Sequence, residues 1–365
     1  MAWEALTAQA GMSPGQTAYA AVIAAAMLWI FNLLCVLICL WFYGKGKALR
    51  EGIPVVAFLS FIMGGGELLL APGNPTISCF LPSAAALGLI FFISRIPRYH
   101  NSWQLEESSI MDRQEQRVEE TSGMNFHQAF LPYYLLTGIT VICLLIPPVN
   151  KLLSQWQIGF SFPETMTEYG FVTAAERCFS PLKPLTYAGT FLALSSVISF
   201  LYYRKKGYIK TEDLKEVWSR TVKKCIPSTI AILCFIIMSK FMSSSGQIYV
   251  LSQGIVTVMG KYYVIAAPFF GMLGSFITSS NMSSNILLGN FQSTAAEMLK
   301  ISPSITAALQ TVGGVLGNVF APGCIIMGIS TTGLAGAEGK LLKTIIPISA
   351  ACAAVFGVFA FAALV

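Results

Sequence analysis

The apolar residues of this chain fall into long runs that exclude charge. Tyr19 to Phe42 contains no Asp, Glu, Lys or Arg. As a helix rising about 1.5 Å per residue, it reaches across the roughly 30 Å hydrocarbon layer of a bilayer. The same reading predicts spans at Ile53 to Leu70, Ile77 to Ser94, Phe130 to Val149, Leu185 to Tyr203, Ile226 to Met242 and about Thr344 to Val365. Pro72, Gly73, Asn74 and Pro75 make a tight turn between two of them. Arg95 to about Asn125 is the longest polar stretch and reads as a solvated connector. Lys151 to Lys183 reads as a loop of mixed charge and aromatics. Thr211 to Lys224 reads as an amphipathic surface helix, with Thr211 as N-cap, acids early and Arg220, Lys223 and Lys224 late.

Beyond Ser243 the pattern changes. Val264 to Thr278 is apolar but ends in Ser279-Ser280-Asn281-Met282-Ser283-Ser284-Asn285, after which apolar Ile286 to Leu288 resumes at once. Further on, Gly313, Gly314 and Gly317 lead to Asn318, Ala321, Pro322 and Gly323 before another apolar run. Unsatisfied backbone polar groups inside lipid cost several kcal/mol each, so irregular chain at that depth survives where protein buries it or where it lines a wet cavity. Broken helices of this kind build substrate sites in secondary transporters. Their free N–H groups present partial positive charge to an anion. The two breaks, at 279–285 and 313–323, are therefore expected to meet at a site. Its candidate substrate-binding residues are Ser280, Asn281, Ser283, Ser284, Asn285, Gly313, Gly314 and Asn318. The competing reading is that 279–285 is an extramembrane turn.

Composition sharpens the picture. Hydrophobic residues make up 55% of the 365 residues and charged residues 11%, against about 25% charged in soluble chains. Too little polar surface is left to coat a water-soluble protein. The net charge of +6 reflects Lys and Arg gathered at 45–50, 95–98 and 204–224. With alternating spans these clusters share one side, which is cytoplasmic by the positive-inside rule. Loop 151–183 and the N-terminus are then outside. No basic block interleaved with aromatics suggests nucleic acid as a partner. Of the nine cysteines, Cys35, Cys39, Cys79, Cys143, Cys234 and Cys352 sit inside apolar runs and read as small apolar filler; no metal site and no cofactor are expected. Glu67, in Gly-Gly-Gly-Glu within an apolar run, is assigned to the outer interface beside Pro72. Lys240 snorkels to the interface. His100 and His127 are solvated. With no buried His, catalytic triad or paired carboxylates, an enzyme lacks its parts and no catalytic residue is assigned.

The stretch from Pro268 to Gln292, PFFGMLGSFITSSNMSSNILLGNFQ, resembles the signature of the bacterial L-lactate permease family. Thr294 to Glu297, Gly313-Gly314 and Ala321-Pro322 also fall where that family has counterparts. The resemblance is strong over 226–340 and extends weakly to the N-terminus. It implies a multi-pass carrier of the bacterial inner membrane that imports L-lactate, and often glycolate, with protons. The chain departs from the family at several points. Asn281 and Met282 stand where the family has an acid or Asn followed by Thr. Asn318, Ala321 and Gly323 stand where it has Lys, Ser and Gln. Losing a Lys removes a cation that could pair with a carboxylate. Family chains are longer at the N-terminal end, so the sequence reads as truncated, with a missing N-terminal half or a homo-oligomer as partner. The resulting expectation is an all-α polytopic membrane protein of eight to ten helical segments, with discontinuous helices or re-entrant hairpins and an incomplete inverted repeat. Its parts would be first helices at 1–94, a charged cytoplasmic loop at 95–125 and a C-terminal repeat at 126–365. The rival expectation is a non-transporting remnant or partner subunit.

Overall fold

The computed structural model describes residues 2–73, 75–100, 124–168, 172–173, 175–209, 211–332 and 338–364. Most of the expected cytoplasmic loop 95–125 lies outside the described residues. Chain contacts divide the protein into two units, residues 1–113 with 235–365, and residues 114–234.

The first unit begins with α1 (Ala2–Gln9) and α2 (Pro14–Leu70). Ser13 caps α2 in a reciprocal capping box with Gln16, and Pro14 takes the first position, where its missing N–H costs nothing. Fifty-seven residues would measure about 85 Å, far more than a bilayer. The backbone reverses instead at Gly44 (φ −157, ψ 26) and Lys45 (φ 47, ψ −134). The two arms, 14–43 and 46–70, pack against each other. Trp29 Nε1 donates to Ser60 Oγ at 2.9 Å, and Gly64 lies so close under the Trp29 ring that a Cβ would land on it. The arms are the two runs read from the sequence at 19–42 and 53–70. The expected span Ile77 to Ser94 is instead broken at Cys79, into α3 (Pro75–Ser78) and α4 (Phe80–Ile93). At 14 residues α4 is about 21 Å long, too short to cross alone. A short turn, α5 (Pro97–His100), follows.

The second unit opens with α6 (Phe126–Ala129), α7 (Leu131–Leu145) and α8 (Pro147–Leu153). The single span expected from Phe130 to Val149 is broken, because α7 and α8 meet at 89°. Pro147 cannot donate to the preceding turn and pushes Ile146 into extended backbone (φ −86, ψ 106). The expected loop 151–183 contains two antiparallel strand pairs. β1 (Ile158–Phe162) pairs with β4 (Glu176–Leu182), and β2 (Thr165–Met166) with β3 (Val172–Thr173) inside it. Register shifts in the outer pair blur the period-two pattern that would have marked strands. α9 (Ala188–Lys205) packs along α7. Tyr203 OH ties it to α6 by donating to Gln128 O at 2.7 Å. His127 is exposed and within 3.1 Å of Tyr134 OH.

The surface helix 211–224 and the span 226–242 are one helix, α10 (Thr211–Ser244). Polarity changes along it without a break, since Lys224 to Ile226 offers no turn chemistry. The boundary between the units falls within α10. Its final turns belong to the first unit, together with α11 (Gln247–Met259), α12 (Tyr263–Thr278), α13 (Asn281–Met298), α14 (Pro303–Asn318), α15 (Pro322–Thr332) and α16 (Glu338–Ala362). α12 is central and touches α13, α14 and α16. Tyr263, Val264, Leu309, Val312, Leu316 and Ala353 are almost fully enclosed in this core, and Ala24 and Phe31 of α2 close one side. Outward-facing Ile30, Phe61, Phe91, Val258, Ile277 and Phe359 are each more than half exposed. Apolar surface so extensive fits hydrocarbon and not water. The arms of α2, the stretches Gln247–Thr278 and Pro303–Ile326, and α16 are long and apolar enough to cross a membrane.

Candidate functional site

Two helix breaks meet in the first unit. Ser279 ends α12 in left-handed backbone (φ 52), which costs a non-glycine residue roughly 1–2 kcal/mol. Ser280 then caps α13, its Oγ accepting from Ser283 N at 3.2 Å. The irregular chain is thus confined to Ser279 and Ser280. Asn281, Ser283, Ser284 and Asn285 lie in the first two turns of α13, not in an extended string. The second break is likewise narrower than 313–323: Gly313 to Asn318 are helical, and the chain leaves the helix at Val319 to Ala321. Gly323 N donates to Ser279 Oγ at 3.1 Å, which joins the two breaks.

Glycines allow the approach. A Cβ on Gly313 would land on Pro268 O, one on Gly317 on Met272 O, and one on Gly271 on Gln310 O. The backbones of α12 and α14 therefore touch directly, as small residues permit in membrane helix packing. Behind this seam runs a buried chain of hydrogen bonds. Tyr263 OH donates to Gln292 Oε1 at 2.6 Å. Gln292 Nε2 donates to Ala267 O and to Gln310 Oε1, both at 3.0 Å. Gln310 Nε2 donates to Ser284 Oγ at 3.1 Å, and Ser284 Oγ donates to Gly271 O at 3.0 Å. Tyr263, Ser284, Gln292 and Gln310 are fully buried. Beside them Asn285 Nδ2 donates to Thr311 Oγ1 at 3.1 Å.

Some buried polar atoms are left over. Ser275 Oγ and Asn281 Oδ1 have no hydrogen-bond partner among the described residues. Both face Gly314: a Cβ there would strike Asn281 Oδ1 and come within 3.2 Å of Ser275 Oγ. Asn281 Nδ2 is held only at 3.5 Å, from Thr311 Oγ1. Amide oxygen and nitrogen are interchangeable in such assignments, so Asn281 can turn a donor toward Gly314. Asn318 is half-buried and accepts a weak bond from Cys324 Sγ at 3.5 Å. The lining is neutral and rich in donors, with no Asp, Glu, Lys or Arg from Tyr263 to Gly323 except Glu297 and Lys300 at the far end of α13. No group of three or more His, Cys, Asp or Glu able to hold a metal occurs among the described residues.

The model of a known family, L-lactate permease, matches residues 7–365 of this chain. The chain belongs to the L-lactate permease family. The likeness thus reaches well beyond 226–340, to nearly the whole sequence. An L-lactate permease of Halalkalibacterium halodurans is 24% identical over 327 residues, 88% of this chain and 59% of the relative. An L-lactate permease of Escherichia coli K12 is 26% identical over 231 residues, 59% of this chain and 40% of that protein. A glycolate permease of Escherichia coli K12 is 29% identical over 175 residues, 48% of this chain and 30% of that protein. This member of the L-lactate permease family therefore spans well under two thirds of the length of the curated relatives it matches. No solved structure matches it.

Within this family member, sequence reasoning passed over Ser275, Tyr263, Gln292, Gln310 and Thr311. A signal was present. Asn281, Ser284, Asn285 and Gln292 recur at helical spacing, marking one polar face on α13. Gln292 and Gln310 are amides within apolar helices, a placement that calls for a partner. Glu67, placed at an interface by its sequence context, accepts from Cys79 Sγ at 3.1 Å and lines a cavity between α2 and α4.

Proposed function

We propose that this chain carries small monocarboxylates, lactate or glycolate, across the bacterial plasma membrane together with protons. The carboxylate would bind where the two helix breaks meet. The observation that supports this most is the pair of buried, unpartnered polar atoms, Ser275 Oγ and Asn281 Oδ1, converging on Gly314 at the start of α13. An anion that sheds its water shell must find donors. The Ser275 hydroxyl, the Asn281 amide and the first N–H groups of α13 supply them beside a helix N-terminus that favours negative charge. Ser280 and Ser283 fix that terminus. Ser284 and Asn285 are bonded to Gly271 and Thr311 and hold the helices in register, while Gly313 lets α14 lie against the Pro268 backbone and Gly314 lets Asn281 and Ser275 approach α14. Asn318 adds a neutral donor at the second break.

The test is uptake of radiolabelled L-lactate and glycolate by membrane vesicles containing the chain and its Asn281→Asp variant. The substitution hardly alters shape but places a negative charge against the incoming carboxylate. Wild-type uptake with loss in the variant, at equal membrane insertion, supports the reading. Equal uptake by both proteins refutes the site. No uptake of either acid by the wild type refutes autonomous transport and favours a subunit that needs a partner.

A further inference from the structure

Carriage of an anion with a proton needs a group that takes the proton up, and the neutral junction described above holds none. Of the described acids in the first unit besides Glu67, Glu297 and Glu338 stand at helix ends, Glu51 follows Arg50 near the start of the second arm of α2, and Glu4 of α1 is exposed. Glu67 differs. It lies one turn from the end of the second arm of α2, and the chain that follows packs against the first arm at Ala21 and Ala25 through Ala71. That contact lies two to six residues inside the apolar run that begins at Tyr19.

Glu67 lines a cavity of about 270 Å³. The first arm contributes Trp29 and Asn32, the second Ser60 and Met63, and the start of α4 Cys79 and Ser83. The Trp29 ring is fixed on Gly64 and by its bond to Ser60, so the cavity has a rigid apolar wall. The single hydrogen bond to the Glu67 carboxylate among the described residues comes from Cys79 Sγ at 3.1 Å, and a thiol is a weak donor. Cys79 is the one other titratable side chain among the residues lining the cavity. Among the described residues, no Lys, Arg or His lines it. α3 and α14, which also touch α2, carry no charged residue, and α1, whose Trp3 packs against the same Ala21, Ala25 and Ala71 cluster, offers only the exposed Glu4. An intramembrane acid without a counter-ion costs about 2.5–3.5 kcal/mol as an ion on insertion scales. A structural acid would be expected to have a cationic partner or several strong donors, and Glu67 has neither.

We propose that Glu67 is the proton-binding group of this carrier: its carboxylate takes a proton from a hydronium ion in the cavity, one O–H bond of the hydronium breaking as the carboxylic O–H forms, and returns it to water on the other side. This rests on the proton-coupled reading above. Two measurements separate the two ideas. The first needs no transport. Infrared difference spectra of the purified chain in bilayers, recorded across a pH titration, should show a carboxylic-acid C=O band that is lost on alkalinisation and missing from Glu67→Gln. A band unchanged in the variant, or no band in the wild type, overturns the assignment. The second uses vesicles with an inside-alkaline pH gradient. In Glu67→Gln, uphill lactate accumulation relative to lactate exchange should fall by about tenfold, the ratio that one pH unit sustains for one proton. Glu67→Asp, which keeps a titratable group, should restore part of it. Proton-driven accumulation by the wild type that is equally strong in Glu67→Gln overturns the role of Glu67 alone. A wild type that exchanges lactate without responding to the gradient overturns proton coupling, and with it this assignment.

Discussion

Substituting Gly313 by Ala tests whether the backbone contact of α12 and α14 builds the site. A Cβ at 313 would land on Pro268 O and lie 2.7 Å from Pro268 C and 2.8 Å from Pro268 Cα, where ordinary contact begins near 3.4 Å. The neighbours are backbone atoms, so no side chain can swing away. The helices must separate by at least about 0.7 Å to bring Pro268 C from 2.7 Å to ordinary contact, and by more to clear Pro268 O. A gap of that size forfeits a quarter to a half of the dispersion energy along the seam, and overpacking of this kind costs about 1–3 kcal/mol. Moving α14 also lengthens the bonds from Gln310 to Gln292 and Ser284, now 3.0 and 3.1 Å, past useful range. Bonds between membrane helices average about 0.6 kcal/mol each, so two add roughly 1.2. Against this, Ala gains about 1 kcal/mol of helix propensity. The net loss is about 1–3 kcal/mol. Gly254→Ala is the control, because nothing lies within 4 Å of a Cβ there; it should gain up to about 1 kcal/mol. Equilibrium unfolding in mixed micelles, followed by tryptophan fluorescence, compares the two. If Gly313→Ala proves as stable as Gly254→Ala, the close crossing is wrong.

Gln292→Leu should destabilise the first unit by about 2–5 kcal/mol in the same assay, because it orphans Tyr263 OH, Gln310 Oε1 and Ala267 O together. Adding Tyr263→Phe should recover part of that loss, since the stranded hydroxyl leaves with it, and a further loss on combination would contradict the network. For topology, cysteines placed at Gln157 and Gly207 in a cysteine-free background are read with a membrane-impermeant maleimide. Position 157 should label on intact cells and position 207 only after permeabilisation, as the basic residues 204–206 require; the reverse result inverts the orientation.

The sequence carried the spans well because membrane insertion is written in composition. Charge is absent from 19–42, and Glu67 is the one charged residue in 53–70; each run became an arm of α2. Proline explains one failure: the run 130–149 looked continuous, yet Pro147 fixes φ and removes a donor, so the helix turned at Ile146. The opposite failure came at Lys224 to Ile226, where a change of polarity was read as a change of element, although helical hydrogen bonding does not depend on which face meets lipid. The strands within 151–183 were hidden by irregular register. At the candidate site the sequence showed where polarity is out of place, at Ser279 to Asn285, but not which of those groups are already satisfied. Ser284 and Asn285 bond across helices to Gly271 and Thr311, pairings set by how α12 and α14 cross, and no local pattern encodes a crossing. Ser275 shows the same limit from the other side. One serine in an apolar helix looks like filler, and it becomes informative only when Gly314 of another helix is found opposite it. Residues that bind through what they lack are visible only after every bond around them has been assigned.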